Sequence, residues 1–253
     1  MLKTRVMPCL LLRNRGLVKT VKFKNPAYVG DPINTIRIFN EKEVDELILL
    51  DITATIENKE VNYQAIYEVA SECFMPFTYG GGIRNIESAK KIFSIGVEKI
   101  AINSSALENP GFIKELADVF GSQSIVVSID VKKTLLGKYL VFAKGGKEPT
   151  KNDPVEWAKN AEHLGAGELL LTSIDRDGTF EGYDIELIKR VSSAVNIPVI
   201  ACGGAGKIGD FAMAVNDGGA SAVAAGSMVV YQGPHRAVLI NFPTRLELET
   251  VLQ

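Results

Sequence analysis

Histidine, cysteine and tryptophan are the scarce residues of this 253-residue chain, present in two, three and one copies. With only His163 and His235, a histidine-based zinc site or a Ser-His-Asp triad has almost nothing to draw on. His163 falls in an expected helix, Pro154–Leu164, where a surface histidine is the ordinary reading. Cys9, Cys73 and Cys202 lie far apart and form no C-x-x-C pair, which excludes a disulfide framework and a thiolate metal cage and suits a reducing cytoplasm. Long apolar runs are missing as well. Val6–Leu12 is far short of the roughly 20 residues that span a bilayer, and nothing near it has the small-residue cleavage pattern of a signal peptide. An excess of one charge is also absent: 28 Lys and Arg face 30 Asp and Glu, a net −2, so the chain has no general basic surface to displace counterions from phosphates. A cytoplasmic protein without metal, cofactor, membrane or nucleic acid is expected.

What the chain does have is 46% hydrophobic and 23% charged residues, the composition of an ordinary globular protein. Eight short β-branched or leucine-rich runs stand out: Arg5–Leu11, Glu46–Ile52, Pro76–Tyr79, Lys99–Asn103, Ser124–Asp130, Glu168–Thr172, Pro198–Ala201 and Ser221–Ala225. Between them Ala65–Cys73, Ile86–Ile95, Gly111–Phe120, Pro154–Leu164, Ile185–Ala194 and Ile208–Asp217 repeat apolar residues at helical spacing. That alternation predicts a parallel sheet buried on both faces. No Pro/Gly/Ser-rich linker interrupts it, so one domain over residues 1–253 is expected, with an atypical segment from about residue 232.

Internal repetition decides between architectures. At a shift of 122 residues Glu46 meets Glu168, Leu49 meets Leu171, Pro76 meets Pro198, Gly81 and Gly82 meet Gly203 and Gly204, and Ser105 meets Ser227. Two four-strand halves, neither able to close alone, predict a (β/α)8 TIM barrel built from duplicated half-barrels. The alternative, an open doubly wound sheet, needs a single nucleotide-binding turn at one switch point rather than two equivalent ones.

Those turns are Tyr79-Gly80-Gly81-Gly82-Ile83-Arg84 after the third strand and Cys202-Gly203-Gly204-Ala205-Gly206 after the seventh. Without Cβ atoms, their backbone N–H groups can approach an anion closely. One such turn is most often only a tight turn. Here each is joined by a second small or polar strand end, Asn103-Ser104-Ser105 and Ala225-Gly226-Ser227, the latter followed by Ser227–Tyr231 as a possible short helix. Two cradles facing each other across one mouth imply a substrate with a phosphate at each end. Strand-end polar residues carry catalysis in such barrels, which singles out Asp130, with Asp51, Asn103, Thr172, Asp175 and Asp177 in comparable places. Asp51 reads equally well as a loop cap. Setting the first strand on the fifth puts Leu11 on Asp130, so an acid that the symmetry predicts is missing.

With these turns stand Met7-Pro8-Cys9-Leu10, Leu50-Asp51-Ile52, Phe120-Gly121-Ser122-Gln123 and Thr172-Ser173-Ile174-Asp175-Arg176-Asp177-Gly178-Thr179. From about residue 1 to 232 the chain resembles the cyclase subunit of imidazole glycerol phosphate synthase, the HisF family. The resemblance implies a bisphosphorylated substrate, ammonia delivered through the barrel by a HisH-like glutaminase subunit in a heterodimer, and a lyase-type ring closure in histidine biosynthesis. It implies Asp130 as general base and Lys19 as a substrate-contacting lysine on a mobile loop. Gly81, Gly82, Asn103, Ser104, Thr172, Asp177, Gly203, Gly204, Gly226 and Ser227 would hold substrate and phosphates. Arg5, Glu46, Lys99 and Glu168 match an ammonia gate, and Glu98 and Gln123 match the glutaminase interface. Independently of the resemblance, those four gate residues all sit at strand starts, where two acids and two bases in one layer can satisfy one another. The same layer could simply plug the barrel floor.

The departures are Leu11 at the position of the family's catalytic acid, Cys202 where a serine helps bind the second phosphate, and Gly233-Pro234-His235-Arg236 with a break at Pro243 in place of a regular last helix. In these the chain is similar to HisF paralogues that work with a glutaminase and a separate sugar amidotransferase in surface-polysaccharide, including lipopolysaccharide, biosynthesis. Authentic histidine-type cyclase activity and a HisA-like sugar isomerase are the alternatives.

Overall fold

The computed structural model describes residues 4–252. Eight parallel strands form the frame: β1 Arg5–Arg13, β2 Leu47–Asp51, β3 Phe77–Gly80, β4 Lys99–Ile102, β5 Ile125–Lys133, β6 Glu168–Ser173, β7 Val199–Cys202 and β8 Ala222–Ala225. Each pairs with its neighbours in chain order, β8 with β1 and β5 with β6, so the sheet closes into a (β/α)8 barrel. Every expected strand is present, with ends shifted by no more than three residues.

Around it lie α1 Pro32–Glu41, α2 Tyr63–Glu72, α3 Ile86–Ile95, α4 Gly111–Phe120, α5 Pro154–His163, α6 Ile185–Ser192, α7 Ile208–Ala212, prolonged by a π-helical turn Met213–Asp217, and α8 Arg245–Val251. Their starts are set locally. Asp31 caps α1 by accepting from Asn34 N, with Pro32 in the first turn; Asp153 and Pro154 do the same for α5. Asn62 and Asp184 cap α2 and α6. Both pairs recur at the 122-residue shift, so the duplication preserves the helix starts as well as the strands. Among the described residues no helix is long and apolar enough to cross a membrane.

Three parts of the fold depart from the sequence reading. α1 forms where no helix was expected: Ile33, Ile36 and Phe39 recur at helical spacing, and the Asp31-Pro32 cap sets its start. After Pro243, the segment read as broken makes α8, opened by a capping box in which Thr244 and Glu247 satisfy each other's backbone N–H. After β8 the expected short helix is a single 3-10 turn, Ser227–Val229, which stops two residues early because the chain enters a hairpin, Tyr231–Gln232 with Ala237–Val238.

Two further hairpins rise over the C-terminal end of the barrel. Gly16–Val21 pairs back on β1 and with Lys24–Gly30, while Tyr139–Ala143 pairs back on β5. The first pairs are Leu11 with Val18 and Asp130 with Phe142, the same register in each half.

The main core fills the space between sheet and helices, including Phe39, Phe77, Tyr79 and Phe211. Phe242, just before α8, meets Phe39 of α1 edge-on at 6.2 Å and so fastens the C-terminal segment to the start of the helical ring. Phe242→Ala should therefore lower the unfolding free energy by about 3 kcal/mol in urea titration. A loss below about 0.5 kcal/mol would mean that the segment does not brace α1.

Candidate active site

At the N-terminal floor of the barrel, side chains pointing inward from β1, β4 and β6, and from Glu46 just before β2, meet in one network. Arg5 donates to Glu46 Oε2 at 2.6 Å and to Glu168 Oε1 at 2.9 Å, and Lys99 Nζ donates to Glu46 Oε1 at 3.0 Å and Glu168 Oε1 at 3.1 Å. Thr78, from β3, adds a bond to Glu46 Oε1 at 3.1 Å. Burial opposes the Arg5 charge, but Glu168 and Glu46 outweigh it and hold the guanidinium above its ordinary value. Two acids and two bases cancel, which is why four charges can share this layer. Above them the interior is apolar, with Met7, Ile48, Leu170 and Ile200 beside the small Ala101 and Ala222.

Above that neck the C-terminal mouth opens into a cavity of about 630 Å³. On one side lie Gly81, Gly82, Asn103 and Ser104. Gly81 has φ +121°, and a Cβ there would come within 2.4 Å of the Asp51 carbonyl oxygen, so only glycine fits the turn. Asp51 itself caps its own loop, accepting from Thr53 N at 2.8 Å and Ala54 N at 3.1 Å. The Asn103 amide donates to Ser128 O at 3.0 Å and Phe142 O at 3.3 Å, and Ser104 Oγ accepts from Lys144 N at 2.9 Å. On the other side Gly203 and Gly204, both at positive φ, lie with Gly226, Ser227 and Thr172 on the cavity wall.

Asp130 faces this cavity from the top of β5. Burial pushes its carboxyl up to about 7, with the Asp177 charge adding to the rise and Ser128, donating at 3.4 Å, moderating it. Leu11 holds the equivalent place at the top of β1 and lines the same cavity, so one carboxyl faces one isobutyl group. Cys9 and Cys202 interact on the cavity wall, and that coupling together with burial holds the Cys202 thiol well above its ordinary value.

Lys19 is not on a loose loop here. It sits in the strand Gly16–Val21, buried, and its ammonium donates to the Cys9 carbonyl oxygen. Asp177, expected among the substrate contacts, lines the cavity and also ties its wall to that hairpin, accepting from Thr20 Oγ1 at 2.7 Å and Phe23 N at 3.2 Å. Glu98 and Gln123 are exposed at the opposite, N-terminal end; Glu98 accepts from Phe77 N at 2.8 Å and Gln123 donates to Phe120 O at 3.3 Å.

Sequence reasoning missed Thr78, Ser128, Thr20 and Lys144. The first two were within reach, since each stands two residues before a singled-out position, Gly80 and Asp130, and so shares its inward face. Thr20 and Lys144 belong to hairpins whose return path no local pattern announces.

A carboxyl that keeps its proton to higher pH when folded than when unfolded favours the native state at low pH. Asp130 should therefore make stability fall as pH rises from about 4 to about 7, and Asp130→Asn should flatten the profile in that window. Carbon-13 NMR of the Asp130 carboxyl should show a midpoint near 7. A midpoint in the ordinary carboxylate range, near 4, would overturn the account of its surroundings.

Comparison with known proteins agrees with this geometry. Residues 5–235 match the family model described as histidine biosynthesis protein. A Pseudomonas aeruginosa protein, provisionally named imidazole glycerol phosphate synthase subunit hisF2, is 58% identical over 243 residues, covering 96% of this chain and 97% of its own. A Leptospira interrogans protein, provisionally named subunit HisF of the same synthase, is 50% identical over 252 residues, 99% of both chains. The Alkaliphilus metalliredigens imidazole glycerol phosphate synthase subunit HisF is 46% identical over 231 residues, 91% of this chain and 92% of its own. The chain belongs to the histidine biosynthesis protein family and is a HisF-like barrel.

Proposed function

We propose that this barrel is the synthase subunit of a glutamine amidotransferase complex, taking ammonia from a HisH-like glutaminase subunit docked at its N-terminal face. The observation that carries the reading is a stack along one axis: a neutral four-charge layer, an apolar neck with small side chains, and a cavity flanked by two glycine cradles. A neck of this kind rejects ammonium, whose desolvation is costly, and favours neutral ammonia. Movement of Lys99 or Arg5 within the charged layer would open the floor. A substrate with a phosphate at each end would lie across the mouth, with Lys19 beside one cradle. Asp130, able to hold or release a proton near neutrality, would act on the reacting nitrogen or carbon between them.

Leu11 supports a narrower reading. Ring closure by general acid–base chemistry needs a donor and an acceptor on opposite sides of the substrate, and Leu11 can be neither. The barrel then serves best as a paralogue that relays ammonia toward a separate sugar amidotransferase for acetamidino groups of surface polysaccharide, in the cytoplasm. Authentic histidine-type ring closure is the second reading, favoured by the likeness to the Alkaliphilus metalliredigens HisF. A HisA-like isomerase has no use for the floor and neck.

Ammonium-dependent formation of imidazole glycerol phosphate separates the two. Wild-type turnover should lie near background, and Leu11→Asp should raise it about 100-fold. Efficient wild-type turnover would sink the polysaccharide reading in favour of histidine synthesis. Mixing with the cognate glutaminase should raise glutamine hydrolysis, and the charge reversal Glu98→Lys should weaken that activation; a barrel that leaves the glutaminase inert would remove the complex altogether.

A further inference from the structure

The two cradles differ in where a cation could come from. Beside Gly203, Gly204 and Gly226 the Lys19 ammonium is buried, so close that a Cβ on Gly226 would lie 2.5 Å from Nζ. That lysine is delivered by the hairpin extending β1. The ends of β3 and β4 provide no lysine to Gly81, Gly82, Asn103 and Ser104; Arg84, farther along the β3 loop, donates to Asn58.

The duplication relates β1 to β5, and the β7–β8 cradle to the β3–β4 cradle. Its counterpart of the first hairpin is the one extending β5, and this hairpin does reach the second place. Beyond Phe142, Lys144 N donates to Ser104 Oγ at 2.9 Å. Lys144, Gly145 and Gly146 have φ of 50°, 62° and 76°, a left-handed turn that brings Lys147 to the cavity. The turn is braced by the other loops of the rim, since a Cβ on Gly146 would touch Phe23 and Ile174. Lys144 Nζ is paired with Glu148 at 3.0 Å. Lys147 lines the same cavity as Gly81, Gly82 and Ser104, and its ammonium has no partner among the described residues. Glu57, which feels its charge, is held by Lys59. Asp51 and Glu108 are the remaining acids on that wall once Lys144 and Glu148 are paired, and the Asp51 carboxylate is held by Thr53 and Ala54 of its own loop; they stand against Lys147 and Arg84.

We propose that Lys147, with the backbone turn Lys144–Lys147, is the cationic clamp of the β3–β4 cradle and binds a phosphate monoester dianion there, as the counterpart of Lys19 at the other cradle. This rests on reading the two glycine turns as phosphate cradles under Proposed function. The test is titration of the full chain with inorganic phosphate, followed by NMR through the amides of Gly82 and Gly203, one for each cradle. In the wild type both should respond. Lys147→Ala, a change at an exposed position, should weaken the Gly82 response about ten-fold and leave Gly203 unchanged, and Lys147→Arg should restore most of it. An unchanged Gly82 response in Lys147→Ala, or equal weakening at both amides, overturns the role of Lys147 while the cradles stand. No response at either amide in the wild type overturns the cradles themselves.

Discussion

Closure of the sheet is the constraint from which the remaining features follow. Once β5 pairs with β6, every second side chain of eight strands points into a space that water cannot freely enter. Whatever stands there must be apolar or must be satisfied by its neighbours. Arg5, Glu46, Lys99 and Glu168 meet that demand only as a set: removal of one partner from a buried ionic group typically costs about 3–5 kcal/mol, because the others are left uncompensated. Such a set adds little net stability compared with apolar filling. Its presence in a barrel that could have been closed by Leu and Ile supports the gate proposed for this floor.

The mouth is governed by a different balance. Its rim is built from hairpins rather than short turns, and their backbone groups are satisfied largely by one another. Asp177 ties the β1 hairpin to the β6 loop through Thr20 and Phe23, and Lys22 N donates to its carbonyl oxygen at 2.9 Å. Arg236, from the C-terminal hairpin, donates to Gly178 O at 3.1 Å and lies over the Phe180 ring at 5.0 Å, so the atypical C-terminal segment reaches the same rim. The position of the Lys19 ammonium thus depends on contacts contributed by three distant parts of the chain.

The barrel was legible because its signals are local and repeated. Strand runs, glycine turns and helical stripes recur at one shift, and each follows from side-chain periodicity that needs no knowledge of distant partners. α1 could have been found in the same way, since Asp31-Pro32 repeats as Asp153-Pro154 and Ile33, Ile36 and Phe39 recur at helical spacing. The inward placement of Leu11 and Asp130 was also readable, because two strands of equal length meet their hairpins in the same register. The task of Asp177 was not. A carboxylate at a strand end can face a ligand, a loop or a neighbouring strand, and its sequence surroundings are the same in all three cases.

From the sequence by itself came the closed parallel sheet, the two glycine turns, the missing acid at residue 11 and the pairing of two acids with two bases at strand starts, all consequences of residue type and spacing along one strand or turn. Tertiary structure alone decided that Lys19 is buried against Gly226, that Asp177 holds a hairpin, that Cys9 and Cys202 meet in the cavity wall, and that Lys147 lines the same cavity as Gly82 and Ser104. Each of these depends on which distant segments the closed barrel brings within about 3–4 Å of one another, the range over which hydrogen bonds and ion pairs act. No periodicity along the chain encodes that proximity.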